Sequence, residues 1–168
     1  KIEEHARANN AEIKSEAVVN VEKKSEGFIV ETESESYEAR IILFATGTVH
    51  RRLGVKGEGE FYGKGVSYCA TCDAPFFKDK IVGVIGGSDS AAKEALLLTE
   101  HASKVYIIYR KEQIHPEPIN LERVERKIAE GKIEIIKNTN VTEIKGDDRV
   151  SSVKFDTGDS LELDGLFI

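Results

Sequence analysis

The sequence predicts an α/β fold: one complete strand–helix–strand unit on a parallel sheet, an antiparallel meander beside it, and an incomplete second copy of the same arrangement. Three observations carry this. The residues Ile81, Val82, Val84 and Ile85 form a continuous apolar run, as suits a parallel strand covered on both faces. Directly after it comes the turn Gly86-Gly87-Ser88-Asp89-Ser90-Ala91, and then Ala91, Ala95, Leu98 and Ala102 recur at helical spacing, the buried stripe of an amphipathic helix. Finally, the order helix, strand, small meander, closing strand occurs twice along the chain.

In the first copy, Lys1 to Asn10 predicts a short helix and Ala11-Glu12-Ile13 a short strand. Alternating strands follow around Val19 to Val21 and Phe28 to Val30, then the apolar strand Ile41 to Ala45. The second copy is longer at its front. Strand Ile81 to Ile85, the glycine turn and its helix lead to a second apolar strand, Val105-Tyr106-Ile107-Ile108-Tyr109. Leu121, Val124 and Ile128 then mark a helix ending before Gly131, a C′ glycine, and Ile133 to Ile136 a strand. Val141 to Ile144, Val150 to Phe155, a Thr157-Gly158-Asp159 turn and Leu161 to Leu163 make the meander, and Gly165-Leu166-Phe167-Ile168 closes it.

Composition excludes several function classes. Net charge is −6 and like-charge runs are short, so the electrostatic footprint of a nucleic-acid binder is missing. No apolar stretch approaches the roughly 20 residues a membrane helix needs. The chain has no methionine, starts on Lys1 in a helical pattern and stops at Leu166-Phe167-Ile168 in a core-like strand; it reads as the middle of a longer protein.

The only two cysteines lie in Cys69-Ala70-Thr71-Cys72-Asp73. A disulfide closing so small a ring stabilises little, because the loop-entropy gain grows with the residues enclosed. Its use is therefore chemical. If the segment opens a helix, the two side chains come within reach of each other, and the helix N-terminus favours thiolate. The alternatives are a zinc half-site and a pair of idle thiols. Zinc takes four ligands, and neither a second paired-cysteine motif nor a histidine cluster is present, His5, His50, His101 and His115 being scattered singly. No metal site is expected.

The glycine turn matches the dinucleotide pattern G-x-G-x-x-A through Gly86 and Ala91, with Ser88 in place of the middle glycine. Such a turn brings backbone N–H groups and a helix N-terminus to a pyrophosphate. The bland alternative is a tight strand-to-helix turn with no ligand. The strand–helix–strand context favours a Rossmann-like, three-layer dinucleotide-binding domain, with Gly86, Gly87, Ser88, Asp89, Ser90 and Ala91 at the cofactor. At the end of the second strand stand Arg110 and Lys111. Two cations with no acid at that point favour the extra phosphate of NADP over the ribose hydroxyls of NAD, although Glu112 follows and both cations also suit a solvated loop.

Taken in order and approximate spacing, Ala45-Thr46-Gly47, Cys69 to Asp73, Phe76-Phe77, the Gly86 to Ala91 turn and Tyr109-Arg110-Lys111 resemble the low-molecular-weight thioredoxin reductases of bacteria and archaea. The resemblance implies a flavoprotein whose FAD domain carries an inserted NADPH domain. Residues 1–50 would be the rear of the FAD domain, its meander and closing strand, with Thr46 and Gly47 near the flavin. Residues 51–168 would be the NADPH domain with the redox pair, and His50 to Gly54 a hinge. Electrons would pass from NADPH through FAD to Cys69 and Cys72, and on to thioredoxin or a similar small disulfide protein. Asp73 would be the acid that protonates a leaving thiolate; on the residues alone it serves equally as a helix N-terminal acid. The 2′-phosphate would be met by Arg110, Lys111 and His115, the last two standing where the family usually has arginines. Neither the FAD glycine turn nor the C-terminal FAD motif is in the sequence, so this segment alone is expected to be inactive. The full-length protein would be a cytoplasmic homodimer. Rival readings are an NADH-dependent flavoprotein of the alkyl hydroperoxide reductase type, a flavoprotein reduced by ferredoxin, and an isolated nucleotide-binding module without turnover.

Overall fold

The structure is a computed structural model that describes residues 1–168, and the chain divides into two compact units, Lys1–Thr48 and Val49–Ile168. In the first unit, α1 (Ile2–Ala8) precedes β1 (Val18–Lys24), β2 (Gly27–Thr32) and β3 (Ser36–Ala39), which form an antiparallel sheet in sequence order. Acids in the first turn of α1 and basic groups in its last turn suit the helix dipole. Two expectations fail here. Residues 11–13 form no strand, and neither does the stretch from Ile41 to Ala45, where Ile41 and Leu43 are 86% and 88% exposed. An apolar strand needs neighbours for its amides and carbonyls. The three-stranded sheet does not extend to these residues, so the chain there stays irregular.

The second unit is built on a five-stranded parallel sheet in the order β4-β11-β5-β6-β7. Its strands are β4 (Val66–Ser67), β5 (Ile81–Ile85), β6 (Lys104–Ile108), β7 (Ile133–Ile136) and β11 (Gly165–Phe167). Val82, Val84, Val105, Ile107, Leu166 and Phe167 are all buried, as the apolar runs require. On one face lie α2 (Ala70–Asp73), a 3₁₀ turn (Ala74–Phe77), α3 (Asp89–Leu98) and α4 (Pro118–Ala129). The stripe of α3 is in the core: Ala91, Ala95 and Leu98 are buried together with Val124 of α4, and Ala102, expected to continue the stripe, is buried too but lies past the end of the helix at Leu98. Helix α4 ends as expected, with Gly131 at φ 75°; its amide reaches Ile128 and that of Lys132 reaches Lys127, a Schellman cap.

The other face is covered by the antiparallel meander β8 (Val141–Gly146), β9 (Val150–Phe155) and β10 (Ser160–Glu162). Val141, Ile144, Val150, Val153 and Phe155 pack there with Ile108 and Leu166. Helices, sheet and meander make the three layers expected for this unit. The sheet order reverses between β5 and β11, and in such sheets the crevice beyond the carboxyl ends of the strands at that point is where ligands bind. No helix is long and apolar enough to cross a membrane.

Candidate active site

Cys69 and Cys72 form a disulfide with Cα atoms 5.3 Å apart. The local backbone explains it. Cys69 is the extended N-cap of α2, and the helical turn that follows brings the fourth residue back over the first. The Cys69 Sγ accepts a hydrogen bond from the Cys72 amide at 3.2 Å. That donor would stabilise a thiolate at Cys69 once the bond is reduced. Cys72 is exposed and Cys69 half-buried, so solvent and a partner's sulfur can reach the pair.

Asp73 closes α2, and its Oδ2 accepts a hydrogen bond of 2.6 Å from the Ser67 hydroxyl. Beside it opens a cavity of about 300 Å³ lined by Ser67, Asp73, Phe76, Phe77, Lys80 and Asp164 among others, which gives the carboxyl group a route to water. The pair is also fixed from its apolar side. Ala70 and Ala74 are buried in the same cluster as Ala91, Ala92 and Ala95, so α2 rests on α3, the helix that follows the glycine turn.

That turn lines a cleft of about 600 Å³ at the carboxyl ends of β5, β6 and β11. Gly86 has φ 133°, open to glycine alone, and bonds through its amide to the Ile108 carbonyl. Ser88, the departure from the pattern, has φ −87° and ψ 178°; the turn accommodates a side chain there because the backbone is ordinary extended chain. No side chain caps α3, so its first-turn amides face the cleft mouth with no partner inside the helix. Around them stand Arg51, Arg52, Arg110 and His115. Glycine turn, uncapped helix end and cations together fit the pyrophosphate and phosphate groups of a pyridine nucleotide.

Not every expected residue joins the cleft. Gly86, Gly87, Ser88, Ser90, Ala91, Arg110 and His115 line it, whereas Asp89 and Lys111 do not. The Asp89 carboxylate turns to α4, accepting from the Glu117 amide at 3.0 Å and Asn120 Nδ2 at 2.7 Å. Those bonds and Lys93, which makes the largest contribution, hold its carboxyl well below the usual range, at about 2. Gly87 is small for a packing reason: a Cβ there would lie 2.6 Å from the Tyr109 ring. Thr46 and Gly47 belong to the other unit, in an exposed irregular stretch. They form no cradle there, and the residues present do not by themselves fit a flavin.

Several lining residues carried no signal as site residues in the sequence. Arg51 and Arg52 fall in the stretch expected to be a connector. Glu94 of α3 is half-buried in the cleft wall, and that burial pushes its carboxyl up. Next to the disulfide, Tyr68 donates to the buried Glu58, which also accepts from the amides of Leu53 and Gly54 at 2.8 and 2.6 Å. Burial and then Glu58 push the Tyr68 hydroxyl up to about 12. No three His, Cys, Asp or Glu side chains come together as a metal site.

Residues 2–168 match the family model described as pyridine nucleotide-disulphide oxidoreductase. The chain is 38% identical over 165 residues to a thioredoxin reductase of Treponema pallidum, covering 96% of this chain and 53% of that one. To a thioredoxin reductase of Listeria innocua it is 44% identical over 141 residues, 80% of this chain and 43% of the relative. The crystal structure of T. acidophilum thioredoxin reductase superposes with a TM-score of 0.70 at 39% identity, covering 99% of this chain and 55% of that one. The chain thus spans about half the length of the relatives it matches.

Proposed function

The chain belongs to the pyridine nucleotide-disulphide oxidoreductase family, and from that premise we propose that it is the nucleotide-binding and dithiol-bearing part of a thioredoxin-disulfide reductase. One observation carries the reading: the Cys69–Cys72 bond sits at the N-cap of a helix packed on α3, in the same unit as the cleft. Thioredoxin reductases depend on FAD and NADPH. NADPH would be held by the glycine turn, the amides at the start of α3, Arg110 and His115, and when bound it supplies a hydride. The flavin belongs to the full-length protein.

The chain's own part is thiol exchange. In the reduced pair, one thiolate attacks a sulfur of the partner's disulfide, forming a mixed disulfide and expelling the partner's other sulfur as a thiolate. Asp73 takes up the proton of the attacking thiol and passes it to that sulfur. The second cysteine then attacks the mixed bond and the Cys69–Cys72 disulfide closes. Two electrons leave the pair and the partner disulfide becomes a dithiol, its two protons being those of the original thiols, passed through Asp73 and water. The partner is thioredoxin or a similar small disulfide protein, met at the exposed side of Cys72. On the same reading the full-length protein is a cytoplasmic homodimer, which sizing and fractionation test.

The experiment is NADPH-dependent reduction of a thioredoxin by the FAD-loaded full-length protein, with Cys69→Ser beside it. Activity in the wild type and none in the variant supports the reading, provided that NADPH binding is unchanged. Retained thioredoxin reduction by Cys69→Ser overturns it.

A further inference from the structure

Ser67 is one of four buried polar or charged residues, 3% exposed, in β4. Its carbonyl accepts from the Ile168 amide at 3.0 Å, and it pairs in register with Phe167 of β11, so the residue is fixed to the parallel sheet. Its hydroxyl points the other way, into the redox turn. There the oxygen accepts from the Cys69 amide at 3.0 Å while its proton goes to Asp73 Oδ2 at 2.6 Å. The Cys69 carbonyl, 3.4 Å away, is a poorer acceptor for that single proton.

From this we infer that Ser67 is a positioning residue for the dithiol chemistry: one hydroxyl anchored in the sheet fixes both the Cys69 amide and the Asp73 carboxylate. The inference rests on the reading of the pair as redox-active. Helix α2 has only four residues and cannot order its own end, since a single turn costs more conformational freedom than its hydrogen bonds return. Cys72 at its surface is exposed, so rigidity must come from below. Ala70 and Ala74 supply the apolar part and Ser67 the directional part. A carboxyl group that takes a proton from one sulfur and passes it to another has to be held in one rotamer, and the bond from Ser67 is the only hydrogen bond to its side chain within the unit.

Replacing the hydroxyl by hydrogen leaves both the amide and the carboxylate without this partner. Ser67→Ala is expected to lower the rate constant for thioredoxin reduction by the full-length enzyme about tenfold, the size of one well-buried hydrogen bond, with KM for thioredoxin within twofold. Ser67→Thr, which keeps the hydroxyl, restores most of it. The decisive comparison is the double variant: in an Asp73→Ala background, which leaves the hydroxyl no acceptor at position 73, Ser67→Ala should remove little more, because there is then no carboxyl group left for Ser67 to position. An equal additional loss in that background, or a wild-type rate in Ser67→Ala, overturns the inference. If Ser67→Ala does not fold, Asp73→Ala tests the link from its other end, since it removes the acceptor of the Ser67 hydroxyl: iodoacetamide should alkylate the reduced Cys69 of the chain at a changed rate, and an unchanged rate refutes the coupling. Failure of the functional reading shows separately, as absent thioredoxin reduction by the wild type.

Discussion

Asp89, in the first turn of α3, accepts a 2.7 Å hydrogen bond from Asn120 of α4 and binds the amide of Glu117 at 3.0 Å. One carboxylate therefore joins the helix after the glycine turn to the start of the next, leaving the phosphate site to backbone amides and to cations from other segments.

This predicts an acid-sensitive join. The Asp89 carboxyl is depressed from 3.8 to about 2, so the ionised form is the one the fold prefers. Its contribution is complete above pH 3.8 and is lost as the pH falls through about 2. Thermal melts of the wild type between those limits should steepen in their pH dependence, and Asp89→Asn should lack that part of the slope. Identical slopes for both proteins would remove Asp89 from the account.

Gly87, in the lining of the cleft, predicts a packing penalty as well. A methyl there would enter the Tyr109 ring, whose hydroxyl already meets His115 at 3.3 Å. Gly87→Ala should therefore destabilise the chain by roughly 1 to 3 kcal/mol, as overpacked cores do, read by urea denaturation. A neutral result would show that the ring shifts freely.

The two strand-end cations should separate. Arg110 lines the cleft and Lys111 does not. Arg110→Ala is expected to weaken NADPH binding by about tenfold or more, as for a charge-assisted contact, and NADH much less. Lys111→Ala should change either affinity less than threefold, on the order of an exposed charge. Equal losses of NADPH and NADH on replacing Arg110 would undo its assignment to the extra phosphate.

How much of this was legible depended on whether the cause was local. The runs around Val82 and Val84 and around Val105 and Ile107, and the stripe Ala91, Ala95 and Leu98, announce buried strands and a helix face because their spacing is itself the consequence of burial. Ile41 to Ala45 has the same apolar character, yet composition cannot supply the neighbouring strand its backbone needs. Conversely, β3 (Ser36–Ala39) and β4 (Val66–Ser67) are too short to announce themselves; β3 exists through pairing with the neighbouring β2 and β4 through pairing with β11, about a hundred residues on.

The site divides in the same way. The cysteine spacing and the glycine turn are written in consecutive residues. Asp89 belongs by position to the turn, but its partners lie 28 and 31 residues away, and only the fold shows that it is engaged elsewhere. Ser67 and the Arg51-Arg52 pair match no pattern; they enter the site because β4 and the connector are brought there by the sheet.

The central claim is that electrons delivered at the nucleotide cleft reach the sulfur pair carried by the same unit. Its most direct test is a thiol titration of the FAD-loaded full-length protein under anaerobic conditions, before and after adding NADPH. The account predicts that the Cys69–Cys72 disulfide opens and two thiols per chain become titratable, with none gained in a Cys69→Ser, Cys72→Ser double variant. NADPH oxidation with the disulfide left intact would contradict it.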